Sequence, residues 1–199
     1  MENRNISALG PRQRFVGTVL WDIPFGKGKR FGGSLPMIAN AIIGNWQTSW
    51  IATMQTGQFL SPSYDGNQPN VRASNLRPDC GGNWTVSNPS MSEWFNPAAF
   101  AIPAAGDYGN CGRGIIVGPG LVTFNAGLFK SFNLTERLKM KFEARAMNAF
   151  NHLNPGNPST DISNTQGVGQ ITSTATIFNS SAAGGDGERH IQVGLRLEF

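Results

Sequence analysis

Hydrophobic and polar residues alternate in bursts along this chain, and the last burst is the most regular. Ile191, Val193, Leu195, Leu197 and Phe199 fall on one parity, and Gln192, Gly194, Arg196 and Glu198 on the other. Successive side chains of a strand point to opposite faces, so the stretch predicts a strand with one wholly apolar face and one polar face. The same period recurs upstream. In 14–24, Phe15, Gly17, Val19, Trp21 and Ile23 oppose Val16, Thr18, Leu20 and Asp22. In 45–57, Trp46, Thr48, Trp50, Ala52 and Met54 alternate with Gln47, Ser49, Ile51, Thr53 and Gln55. In 121–134, Phe124, Ala126, Leu128, Phe132 and Leu134 are in phase, but Lys130 falls on their apolar face. A bulge near Phe129, or a lysine reaching for the membrane edge, would accommodate it. In 138–150, Leu138, Met140, Phe142, Ala144 and Ala146 alternate with Lys139, Lys141, Glu143 and Arg145. These charges would wrap around a helix and leave no apolar stripe, so a strand is predicted despite good helix formers.

The connections differ in length. Residues 25–33 predict a turn rich in Gly and Lys, 36–43 a short helical turn, and 133–137 a tight connection. Residues 58–120 and 151–187 predict long loops dense in Pro, Gly, Asn and Ser, the second with a possible short strand at 169–174. Loops of such length are foreign to a compact soluble domain and ordinary on the outer side of a membrane barrel. With the closing strand running inward to the periplasm, both long loops fall outside, and 25–44 and 133–137 fall inside. That is the arrangement of outer-membrane barrels. The predicted fold is therefore all-β, an antiparallel transmembrane β-barrel segment. Residues 1–10 are a polar lead-in and 11–199 the barrel part. The competing expectation is a secreted soluble β-sandwich that binds glycans through Trp46, Trp50, Trp84 and Trp94.

Composition changes the picture in three places. Charged residues are 14% of the chain, beside 25 Gly and 12 Pro, which fits a β-rich, loop-rich protein. The net charge of +4 is spread without a basic stripe, which excludes nucleic acid as a partner; Lys27, Lys29 and Arg30 belong to a solvated turn. No apolar run is long enough for a transmembrane helix, and no signal peptide precedes the first strand. An exported barrel lacking a signal peptide is expected to be the C-terminal piece of a longer protein. Cys80 and Cys111 have neither the spacing nor the histidines of a zinc site. They are either a disulfide, which export would favour, or two free thiols.

No catalytic, cofactor-binding or metal-binding constellation stands out, and no enzyme is expected. His152 and His190 are solvated rim residues, and Asp107, Asp161 and Asp186 are turn residues. The Gly-rich stretches 25–33 and 109–120 lack the spacing and the following helix of a phosphate loop. Lys139, Lys141, Glu143, Arg145, Gln192, Arg196 and Glu198 would face the lumen, either touching a plug or substrate or simply solvating the wall.

Several phrases occur in a familiar order: Trp94-Phe95-Asn96-Pro97-Ala98-Ala99-Phe100, Tyr108-Gly109-Asn110-Cys111-Gly112-Arg113 and Gly118-Pro119-Gly120. Leu128-Phe129-Lys130-Ser131-Phe132, Phe142-Glu143-Ala144-Arg145, Asn148-Ala149-Phe150-Asn151-His152 and Ile191-Gln192-Val193-Gly194-Leu195 follow. Together, from Arg12 to Phe199, they resemble the C-terminal end of Oar-like TonB-dependent receptors of Gram-negative bacteria. The resemblance implies the last about five strands of a 22-stranded barrel in the cell outer membrane. Its implied partners are outer-membrane lipid, the remaining barrel and plug, the TonB system, and the barrel assembly machinery that reads the terminal aromatic. Signal peptide, TonB-contacting segment, plug and most strands have no counterpart in the sequence.

Overall fold

The computed structural model describes residues 10–68, 71–135, 137–175 and 188–199. In chain order the elements are β1 (Arg14–Asp22), α1 (Met37–Ile43), β2 (Trp46–Gln55), β3 (Phe59–Leu60), β4 (Tyr64–Gln68), β5 (Val71–Leu76) and β6 (Asp79–Cys80). A 3-10 turn (Pro97–Ala99) precedes β7 (Phe100–Ala101), β8 (Ile116–Val117), β9 (Leu121–Asn133), β10 (Lys139–Met147) and β11 (His190–Glu198).

The long strands form one 5-stranded sheet in the order β1-β2-β9-β10-β11. These are the strands the alternation predicts, in their predicted sequence. The pairings of β10 with β9 and with β11 are antiparallel. The sheet is open, with β1 and β11 as its edges. Strand ends move by a few residues, for local reasons. β10 stops at Met147 rather than reaching 150, because Asn148 and Asn151 adopt left-handed backbone (φ 45° and 52°). Asn148 also holds the turn, accepting from the His152 amide (3.0 Å) and donating to the His152 carbonyl (2.8 Å). Asn tolerates this conformation better than any residue but Gly. Between β9 and β10 the Leu134 amide donates to the Leu138 carbonyl (2.9 Å), which makes the tight connection expected there.

Among the described residues two compact units emerge, the sheet unit (15–54, 122–153 and 188–199) and a loop unit (10–14, 55–121 and 154–175). The loop unit corrects the sequence reading of 58–120. Phe95, Ala99, Phe100, Cys111 and Ile116 form a buried cluster, with Leu60, Trp84, Trp94 and Ile162 packed against it. The Phe95 and Phe100 rings meet edge to face at 5.8 Å, and Trp84 stacks on Phe100 at 6.3 Å. Three short pairs, β3-β8, β4-β5 and β6-β7, tie the segment together. A disulfide joins Cys80 to Cys111, with Cα atoms 5.0 Å apart. Around it the Cys111 amide donates to the Pro78 carbonyl (3.0 Å), and the Asn110 side chain accepts from the Cys80 amide (2.8 Å). Gly109 lets these chains touch, since a Cβ there would overlap the Arg77 and Pro78 carbonyls. The possible strand at 169–174 does not form; Thr174 makes one isolated bridge to Pro155. Residues 1–9 of the lead-in, 176–187 of the second loop and Asp186 lie outside the described residues.

Candidate functional site

The two faces of the sheet unit form the candidate functional site, and pleating builds them. Across β9, β10 and β11 the register aligns Phe132, Met140 and Leu197, then Lys130, Phe142 and Leu195. The rows Leu128, Ala144, Val193 and Ala126, Ala146, Ile191 continue the same face. All but Lys130 are apolar. The opposite face carries Lys139 against Glu198, Lys141 against Arg196, Glu143 against Gly194 and Arg145 against Gln192. The residues predicted to face lipid and those predicted to face the lumen therefore segregate onto opposite faces. Phe199, beyond β11, is fully exposed.

The polar face is laced with ion pairs. Lys141 Nζ lies 2.9 Å from Glu198 Oε1, Arg196 Nε 3.6 Å from the same oxygen, and Arg145 Nε 3.0 Å from Glu143. Gln47 donates to Asp22 (2.9 Å), which places the polar sides of β1 and β2 together. Phe129 also belongs to this face, and its ring lies over Gly127. A Cβ at Gly127 would come within 2.7 Å of that ring and 2.5 Å of Ser49 Oγ. The Arg145 guanidinium sits 6.0 Å from the Phe129 ring centre. Val16, Leu20 and Ile51 are exposed apolar residues on the same side as Asp22 and Gln47, so β1 and β2 are less cleanly divided.

Aromatics gather at both ends of the apolar face. Towards the long loops, the Phe150 ring stacks on Trp50 at 6.3 Å and meets Phe124 edge-on at 5.3 Å. Towards the short connections, Trp46 meets Phe142 edge-on at 5.9 Å. Aromatic girdles at the two interfaces are a feature of membrane barrels.

Lys130 sits in the second cluster, and the structure corrects both accommodations expected for it. No bulge intervenes, because the register from Lys139–Asn133 to Ala146–Ala126 is unbroken. Nor does the ammonium reach water, since the residue is 4% exposed. Its Nζ donates to the carbonyls of Ile42 (2.9 Å) and Gly44 (2.6 Å), at the C-terminal end of α1. It also lies 4.8 Å from the Trp46 ring centre and 5.1 Å from that of Phe132. The last carbonyls of a helix lack internal partners and carry partial negative charge, so a cation there is favoured.

The remaining sequence candidates are scattered. His190 opens β11 opposite Met147, and the His152 backbone closes the Asn148 turn. Asp161 accepts from the Ser163 amide (2.9 Å) and Asp107 donates its amide to Ala104 (3.0 Å), both as turn residues. Among the described residues no group of three His, Cys, Asp or Glu is placed to hold a metal. A glycan platform on the tryptophans is not favoured. Trp46 and Trp50 belong to the sheet's aromatic clusters, while Trp84 and Trp94 pack on the loop core, with Trp94 Nε1 spent on the Val117 carbonyl (2.8 Å).

No helix among the described residues is long and apolar enough to cross a membrane, a statement that leaves strands untouched. No curated protein and no solved structure matches the chain. A family match extends over residues 2–192, nearly the whole sequence. That match points to the same architecture and membrane as the two-faced sheet, and the chain belongs to the outer membrane beta barrel domain family.

Proposed function

We propose that this outer-membrane barrel chain is the C-terminal portion of an Oar-like TonB-dependent receptor, taking up substrates too large or scarce for porins in Gram-negative cells. The observation that carries the membrane half of this reading is the inversion within the sheet unit. It buries Thr48, Thr53, Thr123, Lys130 and Asn148 and exposes Ile191, Val193, Leu195 and Leu197. Lipid against the apolar face accounts for that exposure without an aggregation-prone surface. The open edges β1 and β11 call for further strands, because unpaired backbone is costly in hydrocarbon. A barrel of about 22 strands would supply them. Its plug would meet the charged face, and the TonB system would act through that plug. The ordered phrases from Trp94 to Leu195 support the receptor half.

The test uses antiserum to the loop unit on the native cells. The polypeptide that carries this sequence should be recovered from outer membranes, accept surface labelling on intact cells, and cross-link to TonB when uptake is energised. Recovery from the soluble fraction would overturn the membrane half. Outer-membrane recovery with no cross-link under any growth condition would overturn the receptor half alone.

A further inference from the structure

Helix α1 has the wrong surface for a loop in water. None of its residues is buried, and Met37, Ile38 and Ile42 are 86%, 77% and 64% exposed. No acidic residue stands in its first turn and no basic one in its last. A solvated helical turn would carry charge on that side. The helix is nevertheless firmly placed. Lys130 and Trp46, both on the apolar face of the sheet, donate to the carbonyl of Ile42. Asn40 holds the other side of the helix to the preceding turn, accepting from the Lys27 amide at 2.7 Å. That turn presents exposed Phe25 and Phe31, their rings 5.5 Å apart, next to Lys27, Lys29 and Arg30. Apolar and aromatic residues beside Lys and Arg are the composition of an interfacial anchor.

We propose that the connection 25–44 is a membrane-surface anchor: Ile38 and Ile42 of α1 insert among the acyl chains of the phospholipid leaflet at the short-connection rim, and Lys130 holds the helix there. The occupant follows from continuity, because the side chains that fix α1 come from the face assigned to lipid. The proposal rests on the membrane half of the function above. The lysine that breaks the alternation of β9 then has a reason to lie on that face. It supplies a cation to the helix end where neither water nor the helix itself can.

The experiment places an environment-sensitive dye at Ile38→Cys in the intact outer-membrane protein. The protein is reconstituted into vesicles of phosphatidylethanolamine and phosphatidylglycerol, with the native disulfide left oxidised. The expected result is a blue-shifted emission, lost with quenchers carried on the lipid and retained with an aqueous quencher. Lys130→Met should reverse that pattern at position 38, with the β-sheet circular dichroism unchanged. A dye at Leu195→Cys monitors the sheet itself. Lipid quenching at 195 with aqueous quenching at 38 overturns the anchor and keeps the barrel reading. Aqueous quenching at both overturns the membrane half as well. A dye at 38 shielded from both quenchers means that a plug or a second copy covers the helix, and also overturns the anchor.

Discussion

The loop unit and the sheet unit are built on opposite rules. In the loop unit Tyr64, Phe95, Phe100, Ile116 and Ile171 are buried, as in any water-soluble core. In the sheet unit the buried side chains are polar, and the large exposed ones run from Phe15 and Trp21 through Ile38 to Leu195. Water drives the burial of the first set. The second set fits the lipid contact proposed above, where that drive vanishes and every unpaired polar group becomes costly instead. The comparison breaks most directly at Phe95, which is 2% exposed. Phe95→Ala should cost about 3–5 kcal/mol, the range for emptying a packed aromatic site. Hydrogen exchange should report the loss in the loop unit alone. Loss of protection in β9–β11 as well would mean that the two units fold as one cooperative body.

The next break lies within the sheet. Leu195 and Gly194 are neighbours in β11 on opposite faces, opposite Phe142 and Glu143 respectively. Leu195→Arg should destabilise the barrel in vesicles by about 2–4 kcal/mol, as a cation at the bilayer midplane does. Gly194→Arg should change it by no more than about 0.5 kcal/mol, because the site is open and polar; a Cβ at Gly194 meets nothing within 4 Å. Equal penalties in equilibrium refolding titrations would refute the assignment of the faces.

Legibility in the sequence follows the same division. The strands were legible because a half-wetted strand must alternate at period 2, so Met140, Phe142, Lys139 and Lys141 reveal both geometry and environment. The loop core was not, because Phe95, Phe100, Cys111 and Ile116 recur at no period. They are brought together by turns, short bridges and a disulfide whose ends are 31 residues apart. Only the two cysteines hinted at a folded segment. Lys130 was visible as a misfit, but its partners, the Ile42 and Gly44 carbonyls, are 88 and 86 residues away, and backbone oxygens leave no mark in a residue pattern.

A subtler effect concerns Gly127, which no period or motif in the sequence marks. Its missing side chain makes room for the Phe129 ring and Ser49 Oγ on the polar face. Gly127→Ala should cost about 1–3 kcal/mol by overpacking, partly recovered in a Phe129→Leu background. A neutral result in thermal unfolding would mean that the ring moves aside freely and does not stiffen the wall.

The smallest effect belongs to the ion pairs of the charged face, and it is informative because it is small. Lys141 and Glu198 meet across β10 and β11 at 2.9 Å, with their side chains 48% and 34% exposed. Glu198 is shared with Arg196 at 3.6 Å, so either cation can replace the other. Exposed pairs of this kind contribute little, and salt screens what remains. A double-mutant cycle on Lys141→Ala and Glu198→Ala should therefore find weak coupling at low salt and none at physiological salt. Coupling that persisted in high salt would mean that the pair is shielded from water in the assembled protein. A plug pressed against this face would do that, so the salt dependence of one weak contact distinguishes an open lumen wall from an occupied one.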